Sequence, residues 1–223
     1  MKPALATVAL FFFLFAFSTK PSHVSGFTQE PVVDISGEKL KAGESYYILS
    51  AFRGRGGLSF DTFGNDTCPH VVVQESHGLN RGNPVKFLPL DSTSTVINTF
   101  TNLNIEFSDK IATCVESGVW ITTKFISEAL NVATNGVAGT GQSNANWFRI
   151  EKAEFDGAYE IQFCPNPKFI LCQELGVFSH GNDGKRYVGR LANTINFQKL
   201  RVVFKKANVK NAIDDVVEAV MSI

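Results

Sequence analysis

Short β-prone runs separated by turn signals recur along most of the chain, and this pattern constrains the fold more than any other feature. Leu103–Phe107 alternates apolar and polar residues, as a half-buried strand does. Asn182-Asp183-Gly184 is a strong hairpin marker. Further runs of this kind are Tyr46–Leu49, Leu58–Phe60, Val71–Gln74, Thr113–Val115, Val119–Thr122, Trp147–Ile150, Tyr159–Phe163, Arg186–Val188 and Arg201–Phe204. Many short strands with few helical stretches indicate an all-β fold, either a barrel or a sandwich, and the runs alone do not choose between them.

Two segments depart from the β pattern. Asn131–Asn146 is low in charge and rich in Gly, Ala, Asn and Thr, so we expect a loop there. Near the end of the chain, Val209, Ile213 and Val220 recur at helical spacing, which predicts a short amphipathic helix within a tail over residues 206–223. This tail is either a packed or frayed end or a removable sorting peptide.

The first 26 residues read as a secretory signal peptide. Lys2 precedes the apolar run Ala6–Phe17, and small residues follow as far as Gly26. A membrane-spanning helix needs roughly 20 apolar residues, and this run is shorter. We expect cleavage after Gly26, although Ser18 also meets the small-residue rule. The mature protein is then expected outside the cell or in the vacuole.

The charge of the chain is balanced, with 21 basic and 21 acidic residues. Removal of Lys2 and Lys20 with the signal peptide leaves 19 basic and 21 acidic residues, a net charge of −2. Phosphate backbones attract proteins with a basic surplus. We therefore expect no nucleic-acid partner, and no membrane association after the signal is removed.

Four cysteines in a secreted chain predict two disulfides, for which three pairings exist. Cys164 and Cys172 enclose only seven residues and can close a small hairpin loop, which leaves Cys68 to pair with Cys114. Metal binding is disfavoured because the chain has no C-x-x-C and its four His are scattered. We expect no metal and no other cofactor.

Two further motifs lie in predicted surface loops. Asn65-Asp66-Thr67 is a glycosylation sequon, so Asn65 is a candidate glycan site. The glycine-rich basic segment Arg53–Gly57 resembles a phosphate-binding loop in composition. A strand run, Leu58–Phe60, follows it instead of a helix, so we interpret the segment as a flexible turn.

Several motifs resemble the Kunitz-type soybean trypsin inhibitor family of plants, miraculin-like relatives included. The N-terminal signature is Asp34-x-x-Gly37-x-x-Leu40 followed by Tyr46-Tyr47-Ile48-Leu49. The other matching motifs are Cys68-Pro69 with Val72-Val73-Gln74, Trp147–Glu151, Phe163-Cys164-Pro165 and Asn196–Leu200. The number and order of the cysteines also fit, and the resemblance covers about Val32 to Lys205.

The resemblance implies a β-trefoil over residues 27–205: twelve strands in three pseudo-repeats, with a six-stranded barrel and a hairpin cap. It also implies a monomeric protease inhibitor, most often of a serine protease, that inserts an exposed loop into the protease cleft. An enzyme is disfavoured, because no G-x-S-x-G, metal spacing or partnered His is present. The alternative is a non-inhibitory trefoil with a storage or recognition role.

The loop that matches the family's reactive site contains Leu90, Asp91, Ser92 and Thr93, with the specificity position near Ser92 or Thr93. Trypsin inhibitors of the family carry Arg or Lys there, because the trypsin pocket ends in a carboxylate. This sequence has no basic residue in that loop, and Ala42 replaces an Asn that often supports the loop from inside. Both departures argue against strong trypsin inhibition, whereas Leu90 would suit a chymotrypsin- or subtilisin-like pocket.

A second candidate loop lies between Cys164 and Cys172 and presents Pro167, Lys168 and Phe169. A disulfide-closed turn stiffened by proline has the physical properties of a protease-binding loop. This prediction comes from the residues and not from the resemblance, and a purely structural turn is the alternative.

Overall fold

In this computed structural model the described residues are 28–63, 66–109, 117–126, 129–139, 145–155, 157–165, 172–179, 183–190 and 198–207, and their regular structure is entirely β. The predicted signal peptide, and the predicted tail after residue 207, lie outside these ranges. Within the described ranges, no helix is long and apolar enough to cross a membrane. The strands are β1 (Ser45–Ser50), β2 (Leu58–Phe63), β3 (Asp66–Gln74), β4 (Val85–Pro89), β5 (Asn102–Phe107), β6 (Ile121–Ile126), β7 (Ala129–Ala133), β8 (Phe148–Lys152), β9 (Tyr159–Phe163), β10 (Gln173–Ser179), β11 (Arg186–Arg190), β12 (Gln198–Lys199) and β13 (Arg201–Lys206).

Six of these strands close a barrel. Antiparallel pairing runs from β1 to β4, β5, β8, β9 and β13, and β13 returns to β1. A five-pair seam joins the first and last of the six, where Tyr46 pairs with Lys206 and Ser50 with Val202. Closure removes the exposed sheet edges that would otherwise invite association with other chains.

Three hairpins cover one end of the barrel. They are β2–β3, β6–β7 and β10–β11. Each hairpin also pairs with the other two, through Val71 with Ala133, Asn131 with Gly189, and Tyr187 with Val73. Barrel and cap together divide into three four-strand units: β1–β4, β5–β8, and β9–β11 with β13. The short strand β12 pairs with β10 and is additional to them. This arrangement is the predicted β-trefoil.

The core lies inside the barrel because its strands bury alternate apolar residues. In β1 Tyr46 and Ile48 are buried, and in β13 Val202 and Phe204 are buried, with less buried residues between them. Aromatic rings connect strands that are not neighbours, and the ring centroid of Phe204 on β13 lies 5.4 Å from that of Phe87 on β4. Trp120 is fully buried under the cap. Burial of large, closely packed apolar side chains is the main source of stability for such a fold.

The N-terminal signature closes the open end of the barrel without forming a long strand. Leu40 donates its N–H to the Val32 carbonyl, and Val32 donates to the Ile97 carbonyl, each at 2.9 Å. The Asp34 carboxylate accepts the N–H groups of Ser36 and Glu38, which holds the turn between them. Residues 32–40 thus form a bridged turn that fixes the segment around Ile97, and the predicted run Tyr46–Leu49 lies in β1.

Four observed strands were not predicted: β4, β7, β10 and the two-residue β12. β4 lies in a segment with a mixed polar and apolar pattern, and it forms because Val85 and Phe87 enter the barrel core. β7 includes Asn131 to Ala133, where a loop was expected. That expectation was wrong because Val132 packs in the core while Asn131 pairs across the cap. β10 pairs with β9, β11 and β12.

A buried ion pair crosses the seam between β9 and β13. The Arg201 guanidinium lies 2.8 Å from the Glu160 carboxylate, and both side chains are less than a tenth exposed. Burial, followed by the hydrogen bond and repulsion from Glu174, raises the pKa of Glu160 to about 7. Burial also acts to raise the pKa of Glu174, but hydrogen bonds with Glu160 and Lys199 outweigh it and lower that pKa. The two carboxyl groups thus share one proton below about pH 7, and Glu160 is ionised beside Arg201 above it.

This arrangement predicts a loss of stability as the pH rises through neutrality. The ordinary pKa of Glu160 is 4.5, so the folded protein binds the proton more tightly than the unfolded chain does. The stabilisation that the Glu160 proton provides is fully present below pH 4.5 and is lost as the pH rises to about 7. We expect the free energy of unfolding to fall by about 1–2 kcal/mol between pH 5 and pH 8 through this group.

Urea unfolding at several pH values would measure this loss. Glu160→Gln keeps a neutral side chain at every pH and should flatten the dependence. Glu38→Gln, which changes an exposed carboxyl, should leave the slope as in the wild type. An equally steep slope in Glu160→Gln would contradict the assignment of the proton.

Candidate functional site

The loop between β4 and β5 presents the first set of predicted site residues to solvent. Asp91, Ser92 and Thr93 are exposed, and the Leu90 side chain is 37% exposed. The loop follows directly from the barrel strand that ends at Pro89. The structure therefore places these four residues together on one protruding segment.

Both ends of this loop are fixed to the scaffold. Leu90 donates its N–H to the Asn102 carbonyl at 2.9 Å, where β5 begins. The Asn102 side chain is buried and accepts hydrogen bonds from the Arg149 guanidinium at 3.0 and 3.3 Å. On the other side, Ala42 donates its N–H to the Thr95 carbonyl at 3.0 Å. The loop base is thus held by strand β8, strand β5 and the N-terminal segment.

The tip of the loop is organised by Asp91. Its carboxylate accepts the Thr93 hydroxyl at 2.7 Å and the Thr93 N–H at 3.0 Å, while its carbonyl accepts the Ser94 N–H at 3.0 Å. These bonds close a β-turn with Ser92 and Thr93 at its centre. The hydrogen bond from the Thr93 hydroxyl, followed by that from the Thr93 N–H, lowers the pKa of Asp91.

Ala42 supports the loop through its backbone alone. Its side chain is partly buried and packs against the barrel core, so it offers no polar group to the interior of the loop. The hydrogen bonds at the tip of the loop are those that Asp91 accepts from Thr93 and Ser94.

The hydrogen-bonded turn affects which side chain can enter a cleft. A partner that reads main-chain hydrogen bonds needs an extended segment, and the chain bends at Ser92 and Thr93. Leu90 directly follows the last residue of β4 and precedes the turn. Among the described residues of this loop, Leu90 is the exposed apolar side chain best placed for an apolar pocket.

The second predicted loop is closed by a disulfide between Cys164 and Cys172, whose Cα atoms lie 4.4 Å apart. Cys164 is buried and donates its N–H to the Trp147 carbonyl at 2.9 Å. The strands on either side pair in register, with Gln173 opposite Phe163. Pro167, Lys168 and Phe169 lie outside the described residues.

Other sequence predictions concern residues that lie partly or wholly outside the described ranges. Cys68 is disulfide-bonded, and its predicted partner Cys114 lies outside them. The sequon residue Asn65 also lies outside, between β2 and β3 in the sequence. No group of three His, Cys, Asp or Glu side chains in the described parts of the chain is arranged to hold a metal ion.

Two interactions that order the β4–β5 loop were not predicted: the turn formed by Asp91 and the support of the loop base by Asn102 and Arg149. Asp91 was named only as a loop residue, although Asp followed two positions later by Thr is a recognised turn signal. The support from Asn102 and Arg149 had no such signal, because it depends on the pairing of β5 with β8. Local turn chemistry is visible in a sequence, whereas a contact between distant strands is not.

Comparison with known proteins agrees with this architecture. The family model described as trypsin and protease inhibitor, of the Kunitz legume type, matches residues 32–206. The solved structure of soybean trypsin inhibitor superimposes with a TM-score of 0.64 and 28% sequence identity, covering 80% of this chain and 100% of that one.

Two curated relatives are also similar over most of their length. Kunitz trypsin inhibitor 5 of Arabidopsis thaliana is 40% identical over 186 residues, which cover 80% of this chain and 86% of the relative. The 21 kDa seed protein of Theobroma cacao is 35% identical over 222 residues, which cover 93% of this chain and 95% of the relative. The chain therefore belongs to the Kunitz-type family of plant protease inhibitors, which bind proteases and are not enzymes.

Proposed function

We propose that this protein is a secreted, monomeric inhibitor of a serine endopeptidase that presents Leu90 to an apolar specificity pocket. The observation that carries the proposal is the exposed segment Leu90–Thr93, anchored at both ends to a closed barrel. Family membership supports a protease-inhibitor role, and the apolar N-terminal run supports entry into the secretory pathway, with the extracellular space or the vacuole as its destination. Asn65 would then be available for glycosylation.

Tight binding follows from the order of the loop before it meets a protease. Ordering a free loop on binding costs about 0.5–1.5 kcal/mol for each immobilised side chain. Here the Leu90 N–H bond and the Asp91 turn already hold the segment. The inhibitor contributes no catalytic group, because the protease supplies its own nucleophile and oxyanion hole.

The side chains of the loop argue for an apolar pocket. Trypsin selects Arg or Lys through a carboxylate at the base of its pocket, and chymotrypsin has a hydrophobic slot. Leu90–Thr93 contains no basic residue, and its one anion, Asp91, is engaged within the turn. We expect inhibition of a chymotrypsin- or subtilisin-like protease and little inhibition of trypsin.

The first test is a titration of the refolded protein from residue 27 onward against trypsin, chymotrypsin and subtilisin. Leu90→Ala should weaken inhibition of the sensitive protease by about 30-fold, because truncating a central anchor typically costs 2 kcal/mol or more. Leu79→Ala provides a matched control, because Leu79 is 96% exposed on a different loop. Equal inhibition by the wild type and Leu90→Ala would reject Leu90 as the anchor.

A second prediction concerns the turn. Asp91→Ala removes the acceptor for both Thr93 bonds and should weaken inhibition about 3- to 10-fold through the added ordering cost. Asp91→Asn keeps a side-chain oxygen in place and should retain most of the inhibition. Inhibition constants with unchanged melting temperatures would separate loop order from global stability, and full activity of Asp91→Ala would show that the turn is not required.

A non-inhibitory storage or recognition role is the second candidate. The observation that favours it is the bend at Ser92 and Thr93, where a standard reactive site would be extended, together with the apolar side chain of Ala42. This role predicts that none of the three proteases is inhibited at micromolar protein, even though the wild-type chain is folded by circular dichroism.

A further inference from the structure

A guanidinium group in the cap is held in place by neutral side chains. Arg186 on β11 donates from Nε to the Gln74 side-chain oxygen at 3.0 Å and from Nη2 to the Gln198 side-chain oxygen at 2.8 Å. Gln74 ends β3, and Gln198 lies on β12, so two separate strands orient one half-buried arginine. A guanidinium has five N–H donors in a fixed plane, and these two bonds leave further donors available.

A second arginine is brought close by the glycine-rich loop. Gly56 donates its N–H to the Glu75 carbonyl and Glu75 donates to the Gly57 carbonyl, both at 2.9 Å. This exchange holds Arg55 beside the residue that follows Gln74. Burial, and next the charge of Arg55, lower the pKa of Arg186, as expected for two neighbouring cations.

The glycines of this loop are required by close backbone packing. A Cβ on Gly57 would lie 2.0 Å from the Arg81 carbonyl oxygen, and one on Gly56 would lie 2.5 Å from the His77 carbonyl oxygen. The loop is therefore packed against residues 75–81. Its Gly56 and Gly57 N–H groups are already used on the carbonyls of Glu75 and Asn80, so its backbone does not form a phosphate cradle at these positions.

Neither arginine side chain is paired with an acidic side chain in the part of the chain that the structure describes. The ion pairs among the described residues include neither Arg55 nor Arg186. Asp61, the acidic residue nearest to Arg55 in the sequence, forms an ion pair with Lys185. Asp183, the nearest to Arg186, accepts the Lys185 N–H and the Tyr187 hydroxyl. The Glu75 carboxylate accepts the Ser59 hydroxyl. The site thus combines positive charge with oriented N–H donors, and no carboxylate of the described residues forms an ion pair with either arginine.

We propose that Arg55 and Arg186 form a binding site for an oxyanion of the phosphate or sulfate type. Guanidinium groups bind such oxygens through paired, charge-assisted hydrogen bonds. An oxyanion between the two groups would relieve their repulsion. It would also accept hydrogen bonds from the Arg186 N–H groups that Gln74 and Gln198 do not use. The ligand is either a free inorganic anion or the phosphate or sulfate ester of a larger molecule.

The test is a titration of the folded protein with inorganic phosphate at constant ionic strength, with chloride as the replaced anion. The melting temperature should rise with phosphate, because a ligand that binds only the native state stabilises it. Arg186→Gln and Arg55→Gln should each weaken the apparent phosphate affinity by about tenfold or more. Arg186→Lys should also lose affinity, because an ammonium keeps the charge but not the planar fork.

Arg53→Gln is the matched control. It removes the same charge from the same loop, two residues before Arg55. Retained phosphate affinity in Arg53→Gln supports a defined site. Equal losses in Arg53→Gln and Arg55→Gln, wild-type affinity in Arg186→Lys, or no difference between phosphate and chloride would each overturn the proposal. Arg55 is exposed, so its variant keeps the test informative even if Arg186→Gln does not fold.

A parallel titration with glucose 6-phosphate distinguishes the two ligand sources. Similar affinities for the ester and the inorganic ion would identify the site as a receptor for the anion alone. An affinity for the ester that is about tenfold higher, and is lost in Arg55→Gln, would identify contacts to a larger ligand.

Discussion

The pairing of β1 with β13 is the constraint on which the rest of the structure depends. It joins the first and last barrel strands across five registered residue pairs and converts an open sheet into a closed one. Without this seam, β1 and β13 would be edges, and Tyr46, Ile48, Val202 and Phe204 would lose the interior that they share. Closure leaves the connecting loops as the main places where the chain can present side chains to a partner.

The loops that project from this scaffold are ordered by different interactions. The β4–β5 loop is held by hydrogen bonds at its base and by the Asp91 turn at its tip. The hairpin between β9 and β10 is closed by the Cys164–Cys172 bond. The segment around Arg55 is held by backbone contacts that only glycine permits at positions 56 and 57. Such independent support allows the sequence of one loop to change while the others keep their shape.

The sequence was most informative where the physical signal is local. Alternation of apolar and polar residues predicted β5, whose apolar residues Leu103 and Ile105 lie in the barrel core, and the polar Asn104 between them is buried as well. It was misleading for β7, because Asn131 is a poor strand former that becomes buried only when the three hairpins meet. The choice between barrel and sandwich depends on strand order, which periodicity does not contain. The family resemblance supplied it, and the closed ring of pairings agrees with it.

The two sites proposed for this chain lie at opposite ends of the barrel. Leu90 and Asp91 belong to a connection at the end closed by Val32 and Leu40, whereas Arg186 lies in a cap hairpin. The packed interior between them has few ways to rearrange, since cores of this density do not deform gradually. We therefore expect that an anion at the cap would leave the geometry of the β4–β5 loop unchanged. The chemistry of each proposed surface would then depend on its own loop residues.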